Sequence, residues 1–358
     1  MRITSWVVQQ PGQPMVETAR DESPGPGEVL VRVAGCGVCH TDLSYYYDGV
    51  PTRHTFPLTL GHEVSGTVVE AGAGAEAWMN RDVVVPAVIP CGTCEACRAG
   101  RGSICPKQVF PGNDLDGGFG THLRVPAVGL CPVPDLSDPA RNPGKVDLAT
   151  LSVIADAVST PYQAILRSGL VPGDIAVFVG VGGVGGFGVQ IAAAMGALVV
   201  AVDVSQDRLS ALVGFGIQLA LRADQLDPKT LRQALREFAK QKGVPSFRHR
   251  IFETSGTVAG QSTGFSLLGP GGYLSLVGFT PKPVEVRLSN LMAFDATAQG
   301  NWGCLPEHYP AIVDLVLAGR VAIAPFVERR PLASINETFA DIRDHKVSGR
   351  IVLIPERS

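Results

Sequence analysis

The rhythm of hydrophobic positions changes once along the chain, near residue 158. Before that point, β-branched runs are broken by Gly and Pro, as in VLVRVAGCGVC (29–39), VSGTVVEAG (64–72) and DVVVPAVIP (82–90). Such runs predict strands rather than helices. After it, apolar strand-length runs alternate with helix-length segments: IAVFV (175–179), ALVVAVD (197–203), HRIFETSG (249–256) and GYLSLVGF (272–279). That alternation predicts βαβ units on a parallel sheet. Mixed texture then returns and ends in the strand-like GRIVLIP (349–355). The class is therefore α/β, with a mostly-β domain at 1–157 and 298–358 interrupted by a doubly wound parallel-sheet domain at 158–297. No internal repeat or long linker is visible.

The 28 residues Ile175–Val202 carry one polar side chain, Gln190, so a hydropathy window takes them for a membrane span. Seven glycines and the flanking Asp174 and Asp203 instead predict strand, turn, helix and strand inside a buried sheet. Residues 222–250 hold eight Lys/Arg against three Asp/Glu, but Leu231, Leu235 and Phe238 fall at helical spacing. An amphipathic helix with a solvated basic face accounts for them. Tyr45, Tyr46 and Tyr47, read as alternating along a strand, divide between a pocket wall and core packing.

Composition narrows the function. A length of 358 residues accommodates two domains, 45% of positions are hydrophobic, and only 18% are charged. The net charge of −3, from 30 basic and 33 acidic residues, gives no field to hold a phosphate backbone, which argues against nucleic acid as a partner. The opening MRITSWVVQQPGQP lacks the apolar core of a secretion signal. Eight cysteines in such a chain point to metal rather than disulfides, and to a cytoplasmic address.

Three constellations carry chemistry. Cys91, Cys94, Cys97 and Cys105 follow a C-x2-C-x2-C-x7-C spacing, which suits a closed tetrahedral zinc without an open position. A redox pair, an iron–sulfur cluster and four unrelated thiols are the alternatives. Arg98, Arg101 and Lys107 would offset the thiolate charge. GVCHTD (37–42) and GHE (61–63) supply Cys39, His40, Asp42, His62 and Glu63. Cys39 and His62 suit a catalytic zinc, which needs three protein ligands and one open position. GVGGVG (Gly180, Gly182, Gly183, Val184, Gly185) follows a predicted strand and opens a helix, and Asp203 ends the next strand 18 residues beyond Gly185. This is the dinucleotide fingerprint: a tight turn, amides toward the pyrophosphate, and an acid for the ribose that disfavours a 2′-phosphate and selects NAD. Arg208, five residues on, weakens that preference.

Taken in order, GVCHTD, GHE, the four-cysteine lobe, GVGGVG and GRIVL resemble the zinc-containing medium-chain dehydrogenase/reductases, the alcohol dehydrogenase superfamily, over essentially the whole chain. The resemblance implies a GroES-like catalytic domain, a Rossmann domain, NAD, and two zinc ions per chain, one catalytic and one structural. Cys39 and His62 become zinc ligands. The third ligand falls on Asp156, where the family usually has Cys; an acid at a helix N-terminus is the alternative for that residue. Asp42 would orient His62, and Glu63 would lie behind the metal as a transient ligand. Thr41 would hydrogen-bond the substrate hydroxyl, and His40 would face the pyrophosphate. Ser44 stands where many members have the histidine that ends the proton relay, so the proton leaves through Ser44 and water or through another group. Val277 and Gly278 would present backbone to the nicotinamide, and Arg350 would reach the pyrophosphate. A homo-oligomer, dimer or tetramer, is implied.

The implied activity is NAD-dependent oxidation of an alcohol. LSYYYDGVPTRHTFPLTLGHE and AQGNWGC (298–304) look like the dehydrogenases that oxidise 6-hydroxycyclohex-1-ene-1-carbonyl-CoA to the ketone in anaerobic benzoyl-CoA degradation. Free primary, secondary or cyclic alcohols are the alternative substrates. A catalytically dead zinc- and NAD-binding scaffold would also explain Ser44 and Asp156.

Overall fold

A computed structural model describes residues 1–356. The chain divides into two units, Met1–Ser159 together with the segment from Gly303 onward, and Thr160–Trp302.

The first unit is mostly β. Its strands are β1 (Arg2–Val8), β2 (Val16–Asp21), β3 (Glu28–Gly37), β4 (Leu58–Thr59), β5 (Glu63–Ala71), β6 (Asp82–Val85), β7 (His122–Pro126) and β8 (Cys131–Pro132). Two late strands, Val327–Pro331 and Arg350–Ile354, join them. β1 pairs with β2 and β4. β3 is the centre of a second sheet, bonded to β5, β7 and, through Cys36 and Gly37, to the strand Arg350–Ile354. The run 82–90 is a strand only to Val85; Pro86 has no N–H to continue the ladder. Val31, Val64, Val83, Phe119, Leu123 and Phe339 are among the core residues on these strands and the elements packed on them.

Residues 40–47 correct the strand expected for the three tyrosines: they form helix α1 (His40–Tyr47). The cause is a capping box, with Cys39 as N-cap and the Asp42 carboxylate accepting the Cys39 amide at 2.8 Å. Tyr45 and Tyr46 are buried, and Tyr46 donates to the Gln13 carbonyl at 2.6 Å while meeting Phe339 edge-on. Tyr46 thus packs the core rather than a pocket.

The second unit is a six-stranded parallel sheet. In chain order its strands are β9 (Ile175–Val179), β10 (Leu198–Asp203), β11 (Ile217–Arg222), β12 (His249–Glu253), β13 (Tyr273–Leu276) and β14 (Thr297–Gly300). Their spatial order is β11-β10-β9-β12-β13-β14, so the winding reverses between β9 and β12, the switch point at which such sheets take ligands. The apolar stretch 175–202 is β9, the helix Gly185–Ala194 and β10 with their connections, about two thirds of it buried. No helix among the described residues is long and apolar enough to cross a membrane. The basic segment contains the helix Pro228–Lys242, which buries Leu231, Leu235, Phe238 and Ala239 and is capped by Asp227.

Candidate active site

In the first unit, β3, α1, β5 and a buried 3-10 turn (Thr150–Ala155) converge on four side chains. Cys39 caps α1, His62 precedes β5, Glu63 opens β5, and Asp156 ends the turn. One ligand atom from each lies within 4.8 Å of the others. Cys39 Sγ and His62 Nε2 are both 3.6 Å from Asp156 Oδ2. Tetrahedral zinc with ordinary bond lengths would set its sulfur, nitrogen and oxygen donors about 3.3–3.6 Å apart, so the donor set fits that ion.

The surroundings fix this geometry. Asp42, fully buried, accepts from the amides of Cys39 (2.8 Å) and Gly61 (3.1 Å) and from His62 Nδ1 (3.2 Å). That last bond turns His62 Nε2 toward Asp156. Burial opposes charge on His62, yet Asp42, Asp156 and Cys39 hold its pKa well above the usual value. A metal ion bound at His62 Nε2 would take the place of that proton. Phe110 lies against the His62 ring, centroids 4.9 Å apart. Ser159 and Tyr309 both donate to the Ala155 carbonyl and so brace the turn that presents Asp156.

Glu63 is fully buried behind the cluster, where burial raises its pKa against the opposing pull of Arg350. Its oxygens accept the Ala157 amide (3.0 Å) and both arms of the Arg350 guanidinium. Arg350, expected to reach the pyrophosphate, is 7% exposed, engaged by Glu63 and 4.0 Å from Asp156. Because β3 hydrogen-bonds to both β5 and the strand Arg350–Ile354, it brings together residues 287 positions apart, and no local signal announces that pairing.

Thr41 Oγ1 lies 3.7 Å from Cys39 Sγ. His40 and Ser44 face outward from α1 into a pocket of about 210 Å³, lined also by Leu43, Tyr47, Arg343 and His345.

Cys91, Cys94, Cys97 and Cys105 gather in a separate lobe, around a helical turn (Glu95–Arg98) and a 3-10 turn (Gly102–Ile104). The sulfur pairs Cys94–Cys97, Cys94–Cys105 and Cys91–Cys97 lie 3.4, 3.7 and 4.0 Å apart, and all four sulfurs lie within 4.8 Å of one another, far from the roughly 2.05 Å of a disulfide and close to the ~3.8 Å edge of a zinc–thiolate tetrahedron. The Thr93 amide leads in pulling the Cys91 thiol down to about 5, while desolvation pushes Cys97 up to about 12. A dication is what would let all four ionise together.

In the second unit, Gly180 (φ +87°) follows β9, and a Cβ there would meet Ser255 at 2.5 Å. A Cβ on Gly185 would lie 1.9 Å from the Gly180 carbonyl oxygen, whereas one on Gly182 would meet Arg208 Nη1 at an ordinary 4.0 Å. The helix beginning at Gly185 has no side-chain cap and no acid in its first turn, which leaves its amide end available to an anion. Gly183 and Val184 complete the turn. Asp203, expected at the ribose, braces this turn: it accepts the Val181 and Ser205 amides, each at 2.8 Å. Arg208 stands 3.9 Å from it. The Val277 and Gly278 amides donate to the Glu253 carbonyl (2.9 and 3.0 Å), and Gln261 donates to the Gly278 carbonyl. Glu253 itself went unread in the sequence, although an acid following the apolar pair Ile251–Phe252 at the end of a strand was a usable signal.

Residues 25–135 match the family model for the alcohol dehydrogenase GroES-like domain, and residues 183–318 match that for the zinc-binding dehydrogenases. The chain is 31% identical over 330 residues to an alcohol dehydrogenase of Geobacillus stearothermophilus, covering 91% of each chain. It is 29% identical to an L-threonine 3-dehydrogenase of Thermococcus kodakarensis, covering 93% of this chain and 92% of that one. A cobalt- and zinc-bound thermostable alcohol dehydrogenase from Pyrobaculum aerophilum shares the fold, with a TM-score of 0.82 at 24% identity over 99% and 100% of the two chains.

Proposed function

The chain belongs to the zinc-dependent alcohol dehydrogenase family, and from that premise we propose that it oxidises an alcohol to a carbonyl compound with NAD at the Cys39–His62–Asp156 centre. The observation that carries this reading is the convergence of those three donors at zinc spacing. Bound there, zinc would supply Lewis acidity toward the alcohol oxygen, and NAD would supply the hydride acceptor. Cys39, His62 and Asp156 would hold the metal, and Asp42 keeps His62 in the liganding tautomer. Thr41, beside Cys39 on the first turn of α1, accepts the hydroxyl proton's hydrogen bond and hands the proton outward. Ser44 and the pocket it shares with His40 and His345 form the exit. Glu63, held by Arg350, places a negative charge behind the metal. Cys91, Cys94, Cys97 and Cys105 would hold the second zinc, a closed site that would stabilise the lobe. Gly180, Gly182 and Gly185 receive the pyrophosphate; Asp203, with its two oxygens held by amides, turns its remaining lone pairs to the ribose and favours NAD.

The substrate we propose is a cyclic secondary alcohol on a CoA thioester, 6-hydroxycyclohex-1-ene-1-carbonyl-CoA. Its support is the resemblance of residues 43–63 and 298–304. A homo-oligomer is supported by the edge strand β14, whose outer side has no strand partner among the described residues. Eight cysteines, none of them in a disulfide, support a reducing, cytoplasmic compartment.

The deciding experiment measures NAD reduction by purified protein with the thioester and with a panel of free cyclic and primary alcohols, alongside zinc content. About two zinc per chain with turnover supports the enzyme. Preference for free alcohols removes the thioester and keeps the dehydrogenase. Zinc and NAD binding without turnover of any alcohol supports the catalytically dead scaffold instead.

A further inference from the structure

We propose that Glu253 is a positioning residue for the dinucleotide, its buried carboxyl clasping the turn after β12 to the turn after β13 and so setting the cleft at the switch point. This deepens the dinucleotide reading and rests on it.

Glu253 ends β12 and is fully buried. Its Oε1 accepts three hydrogen bonds, from the Ser255 amide (2.8 Å), the Ser255 hydroxyl (2.5 Å) and the Gly256 amide (3.2 Å). Its main-chain carbonyl accepts the amides of Val277 and Gly278. Oε2 is buried without a hydrogen-bond partner, 2.8 Å from where a Cβ on Gly278 would stand. One residue thereby fixes both turns, and they are close enough that the same Cβ would come within 2.2 Å of the Gly256 amide.

The clasped turn is also the wall of the glycine turn. The Thr254 amide donates to the Val179 carbonyl (2.9 Å), and its hydroxyl donates to the Gly180 carbonyl (2.5 Å). A Cβ on Gly180 would strike Ser255, and one on Gly185 would strike Thr254 Oγ1 at 2.5 Å. Through residues 254–256, Glu253 therefore holds the ends of β9, β12 and β13 in register at the place where the winding of the sheet reverses. Burial raises its pKa, while the three bonds to Oε1 hold the carboxyl in place as a brace.

The test compares wild type, Glu253→Ala and Glu253→Gln by titrating NADH fluorescence, with kcat, KM for NAD and thermal melting measured in parallel. Glutamine can keep an oxygen on the three donors and place its amide where Oε2 sits. NAD binding is expected to weaken at least ~10-fold in Glu253→Ala, in KM for NAD more than in kcat, and to return to within about threefold of wild type in Glu253→Gln. A role confined to stability would lower the melting temperature of Glu253→Ala and leave the Kd of the folded protein unchanged; that result overturns the proposal. If Glu253→Ala does not fold, Ser255→Ala removes one donor: about threefold weaker NAD binding is expected, and an unchanged Kd overturns the clasp. A wild-type chain that binds no NAD overturns the dinucleotide reading itself, and the clasp with it.

Discussion

Asp42 is where the geometry of the candidate metal centre is most exposed to a single substitution. Replacing it with Ala removes the acceptor for two buried amides, those of Cys39 and Gly61, and for His62 Nδ1. Each orphaned buried donor costs about 1–3 kcal/mol, and loss of the N-cap contact to α1 is part of the Cys39 share. The part that bears on zinc is the release of His62, which then samples other ring orientations and tautomers. Losing such a supporting contact weakens metal binding by about 10–100-fold, or roughly 1.4–2.7 kcal/mol. Asp42→Asn should be milder, because its oxygen can stay on Gly61 and His62 while its amide faces only the Cys39 N–H. The assay is zinc content after graded competition with a chelator. Wild type should lose its less tightly held zinc in one step; Asp42→Ala should lose that ion at a 10–100-fold lower chelator excess, with the four-cysteine ion retained. If Asp42→Ala holds two zinc with wild-type resistance to the chelator, Asp42 does not orient the ligand and the reading of this centre fails.

Other perturbations test separate parts of the molecule. Asp156→Ala should abolish turnover and reduce zinc to about one per chain, whereas Asp156→Cys should keep both ions, since thiolate supplies the same ligand charge; metal analysis of the two variants separates these outcomes. Asp174, fully buried, accepts from Arg248 at 2.6 Å and faces Arg250 at 3.5 Å. Because both arginines are partly exposed, Asp174→Ala should cost about 2 kcal/mol, short of the 3–5 of a fully buried broken pair; urea unfolding reads it, and a cost under 0.5 would contradict the assignment. Glu253 has a native pKa above its unfolded value, so the native state binds the extra proton. Wild-type stability should therefore fall as pH rises through 4.5 toward the native pKa, by at most ~1.4 kcal/mol per pH unit, while Glu253→Gln should not show this loss. Parallel denaturation curves from pH 4 to 8 report the difference.

Much of the molecule was legible one-dimensionally because its signals are local. The C-x2-C-x2-C-x7-C run brings its thiols together by short turns, and GVGGVG is itself the turn between an apolar strand and a helix. The alternation of segments after residue 158 prescribes βαβ units. The tyrosine run was misread because a capping contact between Cys39 and Asp42, invisible to strand periodicity, starts a helix there.

What tertiary structure alone decided are contacts between distant strands. That Glu63 is met by Arg350 across 287 residues follows from β3 bonding to both their strands, and nothing near either residue encodes it. Asp156 joins Cys39 across 117 positions because a buried turn, braced by Tyr309, delivers it. Periodicity and spacing act over a few residues, so they fix elements and local ligand sets; which buried charge faces which is settled only when sheet register brings low-dielectric neighbours together. There an unpaired charge is too costly to persist, so the fold selects the pairs.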